Sequence, residues 1–135
     1  MQYGYMGNYL RIDLTEKKIS YQSFSDQTLR RYIGGTGLGT KILYDETGIE
    51  TDPLGPDNIL TINTGPLVGT KAPNCGRYHI VTKSPLTGKY AEANSGGRFG
   101  PALKKSGYDG LIITGKSDKP IYISIDNGKV DLLDA

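Results

Sequence analysis

The sequence has one cysteine, one histidine, almost no net charge and nowhere a run of about eighteen apolar residues. Each scarcity closes off a class of protein. A single thiol, Cys75, cannot form an intrachain disulfide or build a cysteine-only cluster or zinc site, and a reducing cytoplasm is its natural setting. The amino terminus, MQYGYMGNYLRID, lacks the basic segment and continuous apolar stretch of a secretory leader. Neither export nor membrane insertion is expected. Sixteen Lys and Arg against fourteen Asp and Glu leave a formal charge of +2, spread along the chain, so nothing argues for a nucleic-acid or membrane surface. An anionic ligand would need a local site. The ten tyrosines are dispersed, without the basic clustering that base stacking requires.

What the chain has in quantity is glycine. Nineteen glycines and seven prolines fall between periodic apolar segments rather than in low-complexity tracts. They mark tight turns and close backbone approaches in a folded chain. A length of 135 residues fits one domain, which buries roughly two thirds of its unfolded surface.

Alternation of apolar and polar residues predicts a hairpin with strands Tyr9 to Leu14 and Lys18 to Ser23. Ser25-Asp26 should cap a short helix that stops at Gly34-Gly35, and a second helix should span Gly39 to Asp45. After the turn-rich connector Asp52 to Asp57, strands are expected over Ile59 to Thr64, Arg77 to Thr82 and Tyr90 to Ala93. Ser84 to Gly88 turns the chain between the last two. Pro101 to Lys105 reads as the first turns of a helix closed by Gly107. Leu111 to Thr114, Ile121 to Ile125 and Val130 to Leu133 complete the strands, the last two joined by Asp126-Asn127-Gly128. This strand-dominated content predicts a β-rich α+β domain rather than an alternating parallel fold. Gly34 to Gly39 leads to a helix ending Tyr44-Asp45, and Gly96 to Gly100 leads to one ending Tyr108-Asp109. That echo suggests two related sheet-plus-short-helix units, an internal duplication about one core.

Glycines before a helix expose backbone N–H groups to an anion. The first such turn, Gly35-x-Gly37-x-Gly39, lacks a following Gly-Lys-Ser/Thr and reads more simply as close packing of backbone on backbone. The second, Ala93-Asn94-Ser95-Gly96-Gly97, adds side-chain and carbonyl oxygens with Arg98 beside it. It suits a cation or phosphate, or alternatively an Asx turn capping the next helix. Arg77 opens a strand after Asn74-Cys75-Gly76, where its guanidinium fork could meet an oxygen-rich ligand or a surface carboxylate. His79 shares that strand face, but a solitary histidine without a second ligand reads as structural. Cys75 reads as a small buried thiol, and Asp45, Asp109 and Asp126 as surface or turn carboxylates.

Taken in order, Gly-Asn-Tyr-Leu-Arg-Ile-Asp-Leu-Thr (7–15), Tyr-Ile-Gly-Gly-Thr-Gly-Leu-Gly (32–39), Thr-Gly-Pro-Leu-Val-Gly-Thr (64–70), Gly-Arg-Tyr (76–78), Thr-Lys-Ser-Pro-Leu-Thr-Gly (82–88), Ala-Asn-Ser-Gly-Gly-Arg-Phe-Gly (93–100) and Gly-Tyr-Asp (107–109) carry a resemblance. Together they resemble the amino-terminal domain of the tungsten-containing aldehyde:ferredoxin oxidoreductase family, across essentially all 135 residues. The resemblance implies a β-rich base beneath tungstopterin, a tungsten or molybdenum ion held by the dithiolenes of two pterins. It implies that Arg77, Asn94 and Gly96 bind that cofactor, with the Asn94 carbonyl helping to hold a magnesium ion that bridges the pterin phosphates. It implies a 4Fe-4S cluster bound by segments absent from this chain, and partners in the remaining domains of the same polypeptide, in ferredoxin and in a small aldehyde. Residues 1–135 would then be one domain of a larger cytoplasmic oxidoreductase, which can be a homo-oligomer, and inactive alone. Relatives acting on glyceraldehyde 3-phosphate, carboxylates or aromatic thioesters share this region, so substrate and catalytic residues stay unassigned. The rival readings are a free-standing phosphate- or nucleotide-binding module and a structural assembly domain.

Overall fold

The computed structural model describes residues 4–135. Eleven elements follow along the chain: β1 (Tyr9–Asp13), β2 (Lys18–Gln22), α1 (Asp26–Tyr32), α2 (Gly35–Glu46), β3 (Leu60–Asn63), β4 (Tyr78–Lys83), β5 (Tyr90–Ser95), α3 (Phe99–Lys105), β6 (Gly110–Thr114), β7 (Ile121–Asp126) and β8 (Lys129–Asp134). Six strands form one mixed sheet in the order β2-β1-β6-β3-β4-β5, and β7 and β8 form a separate hairpin. The expected β-rich α+β class is what the chain adopts.

Local chemistry sets most of the turns. The Asp13 carboxylate accepts from the Thr15 and Glu16 amides at 2.9 and 3.1 Å, an Asx turn that closes the first hairpin. Ser25 caps α1 by accepting from the Thr28 amide at 3.1 Å. Asn127 and Gly128, both at positive φ, make the two-residue turn between β7 and β8.

Alternation along each strand divides the core into two layers. Tyr9, Val81 and Ile112 face α1 and α2, where they pack with Leu29, Leu38, Ile42 and Leu43. Leu10, Ile12 and Leu111 point the other way, onto Leu103 of α3 and the apolar side of the β7–β8 hairpin. The sheet is thus covered by helices on one face and by a helix and hairpin on the other.

Strand ends shift by a residue or two, so that Arg77 lies just before β4 rather than within it, and two helices begin earlier than the sequence predicts. Helix α2 begins at Gly35 rather than Gly39, so three glycines lie inside it. Packing outweighs propensity here: a Cβ on Gly39 would lie 2.6 Å from Asn63 Nδ2 and 2.9 Å from Val81 Cγ2. Only a bare backbone lets this helix settle so close to the sheet. Helix α3 begins at Phe99, with Pro101 third, where its missing N–H would have had no helical partner in any case.

The glycine echo corresponds to a hairpin–helix–strand order that runs twice, β1-β2-α1-α2-β3 and then β4-β5-α3-β6. The pairing is not equivalent, because β6 lies parallel to β1 while β3 lies antiparallel to β4. The helices α2 and α3 also pack on opposite faces. Order repeats, then, without a repeated packing arrangement.

Tyr9 is fully buried and its hydroxyl has no hydrogen-bond partner among the described residues. Burial, helped by the Asp109 carboxylate and by Tyr5, pushes its pKa far above the ordinary 10.0 of tyrosine. Above pH ~10 the unfolded chain releases this proton while the folded chain keeps it, so stability must fall as pH rises, by about 1.4 kcal/mol per pH unit. In Tyr9→Phe that contribution is absent. We expect stability at neutral pH to be unchanged or slightly higher, since an unsatisfied buried hydroxyl is removed, with a shallower decline between pH ~9 and pH ~11. Urea midpoints for both chains across that range measure the difference, and parallel declines would contradict the assignment.

Candidate functional site

The register of the sheet places Tyr9, Gly110, Asn63, His79 and Asn94 side by side across five adjacent strands, β1, β6, β3, β4 and β5. That row marks one end of the sheet. The amino terminus of α2 joins it, because the Gly35 amide donates to the Thr64 carbonyl at 3.0 Å. Segments 7–9, 32–39, 64–70, 76–78, 93–100 and 107–109 therefore gather at a single end of the molecule although they are scattered along the sequence. The exception is 82–88, which turns the β4–β5 hairpin at the opposite end. There Lys83 Nζ donates to the carbonyls of Gly48, Ile49 and Thr51 at 3.2, 2.6 and 2.7 Å, holding that loop to the sheet.

A buried ion pair holds the gathered loops together. Lys104 and Asp109 are 6 % and 1 % exposed, and Lys104 Nζ binds Asp109 Oδ1. The ammonium also donates to the Gly4 carbonyl at 2.6 Å. The Asp109 carboxylate accepts from the amides of Met6 and Gly7 at 3.0 and 2.7 Å, and its backbone carbonyl accepts from Thr64 Oγ1 at 2.6 Å. The sequence reading made Asp109 a surface or turn carboxylate; the structure corrects this. The clue was its place directly before Gly110-Leu111-Ile112, a stretch with no exposed residue, from which a carboxylate has no route to water.

On this end Arg77 and Asn94 stand next to each other. Arg77 Nη1 donates to Asn94 Oδ1, and both side chains are exposed. The strands that bring them together are β4 and β5, antiparallel neighbours closed by the Ser84 to Gly88 turn. From Glu92 through Phe99 every residue is exposed. A Cβ built on Gly96 or Gly97 would meet no heavy atom within 4 Å, so the side-chain space at these exposed glycines is uncovered, close along the chain to Asn94. A guanidinium fork, an amide oxygen and an uncovered glycine backbone form a shelf for an oxygen-rich anion.

The two glycine-rich turns thus divide as their alternatives allowed. The first is occupied by protein: a Cβ on Gly34 would lie 2.5 Å from the Thr64 carbonyl oxygen, and Gly39 rests on Asn63. It serves close packing, which removes the support for a nucleotide loop there. The second is open.

His79 takes a structural place, with Nδ1 within 2.8 Å of Thr36 Oγ1 and 3.5 Å from Glu92 Oε1. Asn63 is fully buried, and its Oδ1 has no hydrogen-bond partner among the described residues. Cys75 is half-buried with its Sγ 3.3 Å from the Pro73 carbonyl oxygen. Tyr5, at the edge of this end, donates its hydroxyl to the Ile33 carbonyl at 2.6 Å. Its pKa is raised by burial and by Asp109. Among the described residues no group of three or more His, Cys, Asp or Glu side chains is placed to hold a metal ion. Any metal here would rest on other oxygens or on its own organic ligands.

A family model described as "Aldehyde ferredoxin oxidoreductase, N-terminal domain" matches residues 9–135. The chain is 45 % identical over 133 residues to the tungsten-containing aldehyde ferredoxin oxidoreductase of Pyrococcus abyssi, covering 98 % of this chain and 22 % of that protein. It is 41 % identical over 136 residues to the WOR-like subunit of an aliphatic sulfonate oxidoreductase of Pyrococcus furiosus, again spanning 22 % of its length. A solved structure, the active site complex BamBC of benzoyl coenzyme A reductase with 1,5-dienoyl-CoA, superposes with a TM-score of 0.96 at 38 % identity. The match takes in 99 % of this chain and 20 % of that one.

Proposed function

The chain belongs to the aldehyde ferredoxin oxidoreductase family, and from that premise we propose that residues 1–135 form the amino-terminal, tungstopterin-binding domain of a larger oxidoreductase. It spans about a fifth of the length of the curated relatives it matches. The observation that carries the reading is the shelf made by Arg77, Asn94 and the uncovered backbone of Gly96.

The donor set fits such a cofactor. A pterin phosphate or ring oxygen would meet the Arg77 guanidinium, and the missing Cβ at Gly96 leaves room for a bulky group to lie against the backbone. An Asn94 carbonyl oxygen suits magnesium, a hard ion that takes one or two protein oxygens and completes its shell with phosphates and water. When bound, the tungsten centre would supply the two-electron redox chemistry that converts an aldehyde to a carboxylic acid. This domain's part is placement and electrostatics: Asn94 orients Arg77, and the Lys104–Asp109 pair ties the segments at Gly4 to Gly7 and Thr64 together at the same end of the sheet.

Electrons would leave through a 4Fe-4S cluster held by later segments to ferredoxin. The named reactions of the relatives range over aldehydes, sulfonates and an aromatic coenzyme A thioester, so substrate choice belongs to parts of the polypeptide beyond this domain. Among the described residues no helix is long and apolar enough to cross a membrane. A cytoplasmic setting agrees with that and with the single thiol.

The test is metal retention in the full-length enzyme. Arg77→Ala removes a charge-assisted contact, and we expect about a tenfold or greater loss in cofactor retention, read as tungsten per protomer by elemental analysis after gel filtration. Full tungsten in that variant would remove Arg77 from the site.

A further inference from the structure

We propose that His79 is a positioning residue for the Arg77–Asn94 pair, the peg through which helix α2 holds the edge strand β5 in place. The proposal rests on the cofactor reading of that pair. It begins from where β5 lies. As the last strand of the sheet, β5 is paired on one side only, by β4. Five of its six residues are exposed, so packing does little to fix it.

Among the described residues helix α2 makes polar contact with this side of the sheet at two points. Near the hairpin turn, Thr40 Oγ1 donates to the Tyr90 hydroxyl at 3.2 Å. At the other end of β5 the link runs through His79. Its imidazole lies under the first turn of α2, where a Cβ added to Gly35 would be 3.1 Å from Cδ2. Nδ1 is within 2.8 Å of Thr36 Oγ1 on the helix and 3.5 Å from the Glu92 carboxylate on β5. In register, His79 stands opposite Asn94 on one side and Asn63 on the other, and it follows by two positions Arg77, which lies directly before β4.

The ring therefore touches the helix above it and the strand that carries Asn94. Without it, among the described residues, the helix-facing side of β4 and β5 has no polar tie to α2 at the end where Arg77 meets Asn94. The guanidinium and its amide partner would then be free to shift together. Placement errors of this size cost binding even when every ligand-touching group is present.

The experiment uses the full-length, tungsten-loaded enzyme with His79→Leu and His79→Asn. Leucine fills the space without a polar atom; asparagine can put an amide where Nδ1 stands and keep the Thr36 contact. We expect His79→Leu to lower tungsten per protomer about fivefold, the worth of one hydrogen bond, and to shift the tungsten(V) electron paramagnetic resonance signal. His79→Asn should restore both. A ring that only stabilises the fold would instead lower the thermal midpoint and leave tungsten content and resonance unchanged, and that result overturns the proposal. Should His79→Leu fail to fold, Thr36→Val removes the partner hydroxyl and must reproduce the loss. Arg77→Ala in parallel separates the two readings. Full tungsten there overturns the cofactor assignment, while low tungsten there with wild-type tungsten in His79→Leu overturns this inference alone.

Discussion

Asp109→Ala is expected to destabilise the chain by about 3–5 kcal/mol, the cost of leaving a buried charge without its partner. Among the described residues its ammonium partner on Lys104 would keep only the Gly4 carbonyl and the face of the Tyr5 ring, at a position 6 % exposed. The amides of Met6 and Gly7 would lose their acceptor as well. Lys104→Met should cost less, because its stem still packs and the carboxylate keeps two amide donors. Urea unfolding of the three chains orders them, and the ranking carries the argument more than any single value. If Asp109→Ala cost less than about 1 kcal/mol, the pair would be behaving as a solvated surface bridge.

Gly110→Ala is the second large effect, expected near 3 kcal/mol at the upper end of what overpacking costs. Gly110 lies in the row of strands between Tyr9 and Asn63. A Cβ there would sit 2.5 Å from Tyr9 Cε1 and 2.6 Å from the Ile62 carbonyl oxygen. The ring has little room to move and the carbonyl belongs to the neighbouring strand, so the sheet itself must give. Alanine's smaller loss of backbone entropy, about 0.5–1 kcal/mol in its favour, does not offset that. Tyr9→Phe should not rescue the variant, because the clash is with ring carbons rather than the hydroxyl. Gly96→Ala is the control: nothing lies within 4 Å of its Cβ, and its stability should stay within about 0.5 kcal/mol of the parent. Equal losses at Gly96 and Gly110 would point to backbone conformation rather than crowding.

Short-range chemistry was the part of this fold that the sequence made legible. The Asp13 turn, the Ser25 cap and the Asp126-Asn127-Gly128 turn each act through neighbours a few residues away, and all three form as their residues suggest. The nearness of Arg77 and Asn94 was legible for the same reason, since two alternating segments joined by Ser84 to Gly88 can scarcely do other than pair. What did not show was everything that depends on distant contact. No local pattern announces that β1 pairs in parallel with β6. Nor does composition say that Lys104 and Asp109 turn inward, because that follows from loops meeting over them. The extent of α2 was hidden too: glycine argues against a helix until one knows that the sheet beneath leaves no room for a Cβ. For the site, the ordered motifs signalled a family before any geometry explained why segments so far apart should travel together.

The parallel pairing of β1 with β6 also fixes a sequence of events. Met6 and Asp109 are 103 positions apart, and closing a loop of that size costs about 4 kcal/mol of chain entropy before any contact repays it. During synthesis, the first strand can pair with β2 at once, but it cannot find its other neighbour, β6, until nearly all of this domain has left the ribosome. The cradle around Asp109 is thus a late product of folding, although it is built partly from the first residues made. On the proposed reading, a cofactor resting on this end would meet a surface that does not exist in the nascent chain, and its loading would follow the closing of the sheet rather than guide it.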